Sequence, residues 1–249
     1  MTEEKSSSVD DWVYKAFQKQ YLEIYSHRDN TEAEAHCKSL VNLAQLDSPS
    51  LKLLDCCCGA ARYSRILKGK GFDLIGMDLS SDLIKIAKQE DPEGYYLRGD
   101  IRGLPFYESF DRILSLFTSF GYFENDNENL NVLAQMSSSL KTDGLLYLDY
   151  LNPNNVFETD WEEKSDKKGV LRSKKQIDKK TKMVIKQVEW YSENNEKSCY
   201  DERVKLYNNN WFIKNGKDSG FELIDMYGDY RGGELKKDSL RNIYLFKKI

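Results

Sequence analysis

The stretch Leu53-Leu54-Asp55-Cys56-Cys57-Cys58-Gly59-Ala60-Ala61-Arg62 decides the fold of this chain. It opens inside Leu51–Cys57, a short apolar run between turn residues, which reads as a buried strand. Ala61–Lys68 then has helical character and is closed by Gly69 and Gly71. The alternation continues downstream. Phe72–Asp78 is a second strand, and Ser81–Gln89 a helix capped by Ser80 or Ser81. Tyr95–Arg98 and Phe110–Phe117 are a third and fourth strand. Asn127–Leu140 is helical, with Leu130, Leu133 and Met136 on one face, and Leu145–Leu151 is a fifth strand. Strands separated by helices of about ten residues form βαβ units with right-handed crossovers. The expected fold is α/β, a doubly wound and mainly parallel sheet.

Upstream, Asp11–Leu46 has helical spacing through Trp12, Phe17, Tyr21 and Ile24, a break at Ser26–Asn30, and a second helix capped by Asn30 or Thr31. Downstream, Val170–Lys174, Lys182–Ser192 and Ser198–Tyr207 alternate with period two and read as an inserted antiparallel β-meander. A short helix near Trp211–Lys217, a strand from Phe221 to Met226 and a final antiparallel strand, Asn242–Lys248, complete the pattern. The expected division is an N-terminal helical lid over residues 1–46, a Rossmann-like domain over 47–154 and 208–249, and the meander over 155–207.

Composition narrows the functional classes. The 249 residues carry 37 Lys+Arg against 41 Asp+Glu, a net charge of -4 that lacks the basic footprint of nucleic-acid or anionic-membrane binders. No run approaches the ~20 apolar residues of a membrane span. The polar start from Met1 to Asp11 is unlike a signal peptide, so a cytoplasmic location is expected. Cys37, Cys56, Cys57, Cys58 and Cys199 have neither disulfide-framework nor zinc spacing, so no metal is expected.

Three acids end three successive strands: Asp55, then Asp78 23 residues later, then Asp100 after a further 22. Ligands of open α/β sheets bind outside the carboxyl ends of the strands. Each acid suits part of an adenosine ligand. Gly59 permits a tight turn, with Cys57 and Ala61 small enough for close approach. Asp78 can accept from two ribose hydroxyls, and Asp100 from an adenine amino group. A nicotinamide-binding Gly-x-Gly-x-x-Gly is not met, because its positions read Cys57, Gly59 and Arg62.

On these residues the sequence resembles the class I S-adenosylmethionine-dependent methyltransferases. Leu53–Arg62 resembles that family's first motif, usually Asp-x-Gly-x-Gly-x-Gly, with Cys57 and Ala61 in place of two glycines. Gly76–Ser80, Gly99–Ile101, Phe110–Phe123 and Leu140–Leu146 resemble the later motifs, with Thr142 where the family usually has Pro. Tyr21–Asp29, Gly228–Tyr230 and Asp238–Arg241 resemble the two ends of a small bacterial subgroup that carries an inserted β-meander.

The resemblance implies S-adenosyl-L-methionine as cofactor, S-adenosyl-L-homocysteine as product, and contacts at Asp55, Cys57, Gly59, Asp78, Leu79, Asp100, Ile101 and Leu116. Tyr21, Tyr25 and Arg28 are candidates for a lid over the cofactor's amino-acid end, where an Arg would pair with a carboxylate. His27 is the candidate general base. Tyr122, Tyr150 and Tyr230 are candidates for an acceptor pocket. The expected activity is methyl transfer to a small-molecule acceptor by in-line displacement, in a monomer or homodimer. Two alternatives stay open. One is a non-catalytic cofactor-binding or scaffold protein. The other is an RNA methyltransferase using Lys164–Lys182, which holds nine basic residues and two acids.

Overall fold

The computed structural model describes residues 11–17, 20–24, 30–166, 168–194 and 196–249. Three helices come first: α1 (Asp11–Ala16), α2 (Gln20–Ile24) and α3 (Asn30–Leu43). The alternating core follows as β1 (Lys52–Cys56), α4 (Arg62–Gly69), β2 (Asp73–Asp78), α5 (Ser81–Glu90), β3 (Tyr95–Arg98), β4 (Phe110–Ser115), α6 (Asp126–Ser139) and β5 (Leu140–Leu151). Next come β6 (Thr159–Asp166), β7 (Gly169–Asp178), β8 (Met183–Ser192) and β9 (Lys197–Lys205). The described chain closes with α7 (Asn209–Asp218), β10 (Phe221–Tyr227) and β11 (Arg241–Lys248).

Seven strands form one sheet in the order β10-β11-β5-β4-β1-β2-β3. β3, β2, β1, β4 and β5 run parallel, and β11 is antiparallel to both β5 and β10. The strand order reverses at β1, which pairs with β2 on one side and β4 on the other. Alternate residues along each strand serve two cores. Leu53, Leu74, Leu114, Tyr147 and Leu245 pack with Ala33, Leu40, Tyr63 and Leu67 from α3 and α4. Leu54, Ile113, Leu146, Leu148 and Phe246 pack with Val132, Leu133, Met136 and Phe212 from α6 and α7. This two-sided burial is why the strands read as continuous apolar runs.

β6 to β9 form a separate antiparallel sheet. Its first strand escaped the sequence reading. Thr159–Asp166 is an edge strand with seven of its eight residues exposed, so nothing forces apolar residues into alternate positions. Two further corrections fall beside the crevice. β4 stops at Ser115 rather than Phe117, because Phe117 and Thr118 turn left-handed at φ 55 and 63. Ala61 is not the first helical residue but the N-cap of α4, also left-handed. Ser80 caps α5 as expected, its Oγ accepting the Leu83 N–H at 3.2 Å.

Candidate functional site

The carboxyl ends of β1, β2, β3 and β4 open into a cavity of about 570 Å³. Every expected cofactor contact from Asp55 to Leu116 lines it, as does Tyr21. His27, Tyr25 and Arg28 lie outside the described residues. Of the three tyrosines considered for an acceptor pocket, Tyr122 lines the cavity. The other two do not. Tyr150 is wholly buried with its hydroxyl donating to the Lys205 carbonyl, and Tyr230 donates to Asp149 at 2.9 Å.

The loop after β1 is tied to the end of β2. Cys58 N–H donates to the Met77 carbonyl at 3.0 Å, and Gly59 N–H to Asp78 Oδ2 at 2.8 Å. Asp78 Oδ1 accepts from Ser80 N–H at 2.8 Å. Asp78 therefore joins the first loop to the cap of α5. Each of its oxygens carries one of these backbone bonds, which leaves acceptor capacity on both.

Three alternate loop residues are left-handed: Cys57 at φ 60, Gly59 at φ 58 and Ala61 at φ 59. That geometry explains why glycine is usual at such positions. A side chain there costs roughly 1–2 kcal/mol. Ala61 has offsetting terms. Its methyl is fully buried beside Ile84, Ala87 and Tyr96, which contributes about 0.8 kcal/mol. Relative to glycine, alanine also lowers unfolded-state entropy by about 0.4–1 kcal/mol. Ala61→Gly is accordingly expected to leave stability within about 1 kcal/mol of the parent, by urea unfolding. A larger loss would mean that the left-handed turn carries no such cost.

Asp55 is buried under the loop and accepts from Ser64 Oγ at 2.6 Å. Burial pushes its carboxyl up to about 7, with the Ser64 bond opposing and the charge of Asp78 adding to the rise. Burial also raises Asp78, against the backbone bonds it accepts. Asp100 goes the other way. Burial raises it, but Arg102 outweighs that and leaves it lowered. The Arg102 guanidinium grips Asp100, with Nη2 2.6 Å from Oδ2, and reaches Glu128 at 2.8 Å. Asp100 thus meets the cavity already paired, a partner two residues away that sequence reading passed over. Burial holds the Cys57 and Cys58 thiols well above their ordinary range, so neither is a thiolate nucleophile at neutral pH.

Aromatic side chains roof the cavity. Phe17 stacks on Tyr122 with ring centroids 5.7 Å apart, and Trp12 meets Tyr122 edge-on at 5.4 Å. Phe17 also touches Tyr21 at 5.2 Å. The same cluster includes Val188, Trp190 and Tyr200 from β8 and β9, so the meander supports the helices that cover the cavity. Its basic stretch is partly paired within its own sheet: Arg172 faces Glu163 at 3.7 Å and Glu189 at 3.4 Å.

A twisted sheet whose order reverses at β1, with an antiparallel last strand and a cavity over the reversal point, is the class I methyltransferase fold. Residues 53–144 match the family model described as a methyltransferase domain. A demethylmenaquinone methyltransferase of Thermotoga maritima is 36% identical over 107 residues, 41% of this chain and 45% of that protein. The matched region thus spans about half the length of such curated relatives. Among solved structures, an S-adenosylmethionine-dependent methyltransferase from Clostridium acetobutylicum superposes with a TM-score of 0.78 at 17% identity, covering 92% of this chain and 96% of the other. SAM-bound CalS10, an amino pentose methyltransferase from Micromonospora echinaspora, gives 0.72 at 17% identity, covering 93% and 97%. At these identities the structural likeness is one of fold.

Proposed function

We propose that this chain transfers a methyl group from S-adenosyl-L-methionine to a small-molecule acceptor. The observation that carries the reading is the convergence of Asp55, Asp78 and Asp100 on one cavity with the left-handed loop at Cys57–Ala61. The cavity fits the cofactor. A Cβ at Gly59 would meet only Leu83 Cδ1, at 3.8 Å, so backbone is open to close approach. The N-terminus of α4 has no side-chain cap, which leaves amide N–H groups for an anionic group such as a carboxylate. The names of relatives support small acceptors: one acts on demethylmenaquinone, another on an amino pentose.

When bound, the cofactor supplies an electrophilic methyl on a sulfonium, so the protein's part is to bind, align and exclude water. Asp78 accepts the ribose hydroxyls with its free lone pairs. Leu79 and Ile101 give the adenine ring apolar walls, and Asp100, held by Arg102, borders its edge. Leu116 and Phe117 close the methionine side. Phe17, Tyr21 and Tyr122 keep water from the reacting centre. Burial keeps the Tyr122 phenol protonated, so it aligns the acceptor rather than taking its proton. The protein acts from the cytoplasm in this reading.

Calorimetric titration with S-adenosylmethionine and, separately, S-adenosylhomocysteine tests the reading. Micromolar binding of both is expected. Absence of binding at millimolar concentration would reject it. Binding without turnover of any amine or hydroxyl acceptor would favour the non-catalytic alternative.

A further inference from the structure

The wall of the cavity after β4 is held in an unfavourable backbone shape by groups outside the cavity. Leu116, Phe117 and Ser119 line it, whereas Asp149, Tyr230 and Arg241 do not. Phe117 and Thr118 are consecutive left-handed residues. For a β-branched residue such as threonine that region is an outlier, and it persists only where the surroundings impose it.

The imposing group is Asp149 on β5, whose side chain is fully buried. Its Oδ2 accepts from Phe117 N–H at 2.7 Å and from Tyr230 Oη at 2.9 Å. Its Oδ1 accepts from Arg241 Nε at 2.7 Å, and its carbonyl accepts from Thr118 N–H at 3.0 Å. Arg241 Nη2 donates in turn to Thr118 Oγ1 at 2.7 Å. Phe117 is thereby pinned through its backbone N–H, and Thr118 through both its backbone N–H and its side chain.

We propose that Asp149, Arg241 and Tyr230 are positioning residues that set the Leu116–Ser119 wall, and with it affinity for the amino-acid part of the methyl donor. This rests on the cofactor reading given above. β4 flanks β1 on the side away from β2 and β3, so the wall stands apart from Asp78 and Asp100. Loosening it should act on one end of the ligand only. An asparagine at 149 turns a donor amide toward a donor however it is oriented, since both oxygens accept N–H bonds.

The test is calorimetric binding of two probes, S-adenosylhomocysteine and 5′-methylthioadenosine, which lacks the amino-acid part. Asp149→Asn is expected to weaken the first about tenfold or more, the scale of one charge-assisted hydrogen bond, and the second less than about twofold. Tyr230→Phe keeps the ring and removes one O–H. It should show the same selectivity at about threefold, the scale of a weaker single bond, and it decides the matter if Asp149→Asn does not fold. Equal loss of both probes, as a merely structural role would give, overturns the proposal, and so does no loss of either. If the parent binds neither probe, the cofactor reading itself fails and takes the proposal with it.

Discussion

Asp78→Ala is expected to weaken S-adenosylmethionine binding by about 3 kcal/mol, roughly a hundredfold, at unchanged fold. Two losses combine. The ribose loses its acceptor, a charged hydrogen bond of about 1.5–3 kcal/mol. The loop after β1 also loses its tie, because Gly59 N–H donates to Asp78 Oδ2 and Ser80 N–H to Oδ1. A freed loop must be re-ordered when the ligand binds. Asp78→Asn should fall between parent and alanine, since its one carbonyl oxygen can serve one backbone donor but not both. Titration calorimetry reads the series, with far-ultraviolet circular dichroism as the control for folding. Unchanged affinity in a folded Asp78→Ala protein would remove Asp78 from the binding site.

The second large effect is on stability. Asp55→Asn is expected to stabilise the protein by about 2–4 kcal/mol at pH 8 and by almost nothing at pH 4. Burial raises Asp55 to about 7, against about 3.9 in an unfolded chain. Between those values the native state keeps a proton that the unfolded chain has released. The group's contribution is therefore fully present below about pH 4, declines as pH rises, and is lost above about pH 7. Three pKa units at 1.36 kcal/mol each set a ceiling of about 4 kcal/mol. Asparagine has the same shape, stays neutral throughout, and offers its carbonyl to Ser64 Oγ. Urea unfolding of parent and variant across pH 4–8 isolates this one group as the difference between two curves. Parallel curves would show that Asp55 titrates in its ordinary range.

Much of the fold was legible because burial on two faces leaves a strong local signal. The run through Leu53 and Leu54 is apolar since each residue feeds a different core. The even spacing of Asp55, Asp78 and Asp100 reflects one strand and one helix per unit, and all three line one cavity. Small local chemistry was legible too. The place before the helix marks Ser80 or Ser81 as its cap, and the cap is Ser80.

What the sequence hid depended on distance or on solvent. β6 is an exposed edge strand, so its residues are not sorted between inside and outside. The pairing of Arg241 with Asp149 spans 92 residues, and no local pattern announces it. Tyr122, Tyr150 and Tyr230 are alike on paper, yet the first lines the cavity, the second is core, and the third anchors Asp149.

The sequence by itself determined the class of fold and the strand ends at which ligand chemistry would gather, because periodicity and strand-end acids are local properties of the chain. Only the tertiary structure decided the surroundings of those acids: Asp55 raised by burial to about 7, Asp78 accepting from two backbone amides, Asp100 held by Arg102. It also decided that Cys57, Ala61, Phe117 and Thr118 are left-handed. The physical reason is the same in both cases. A charge is desolvated, and a strained backbone is tolerated, only by what the rest of the molecule packs around it, and chain order does not state those neighbours.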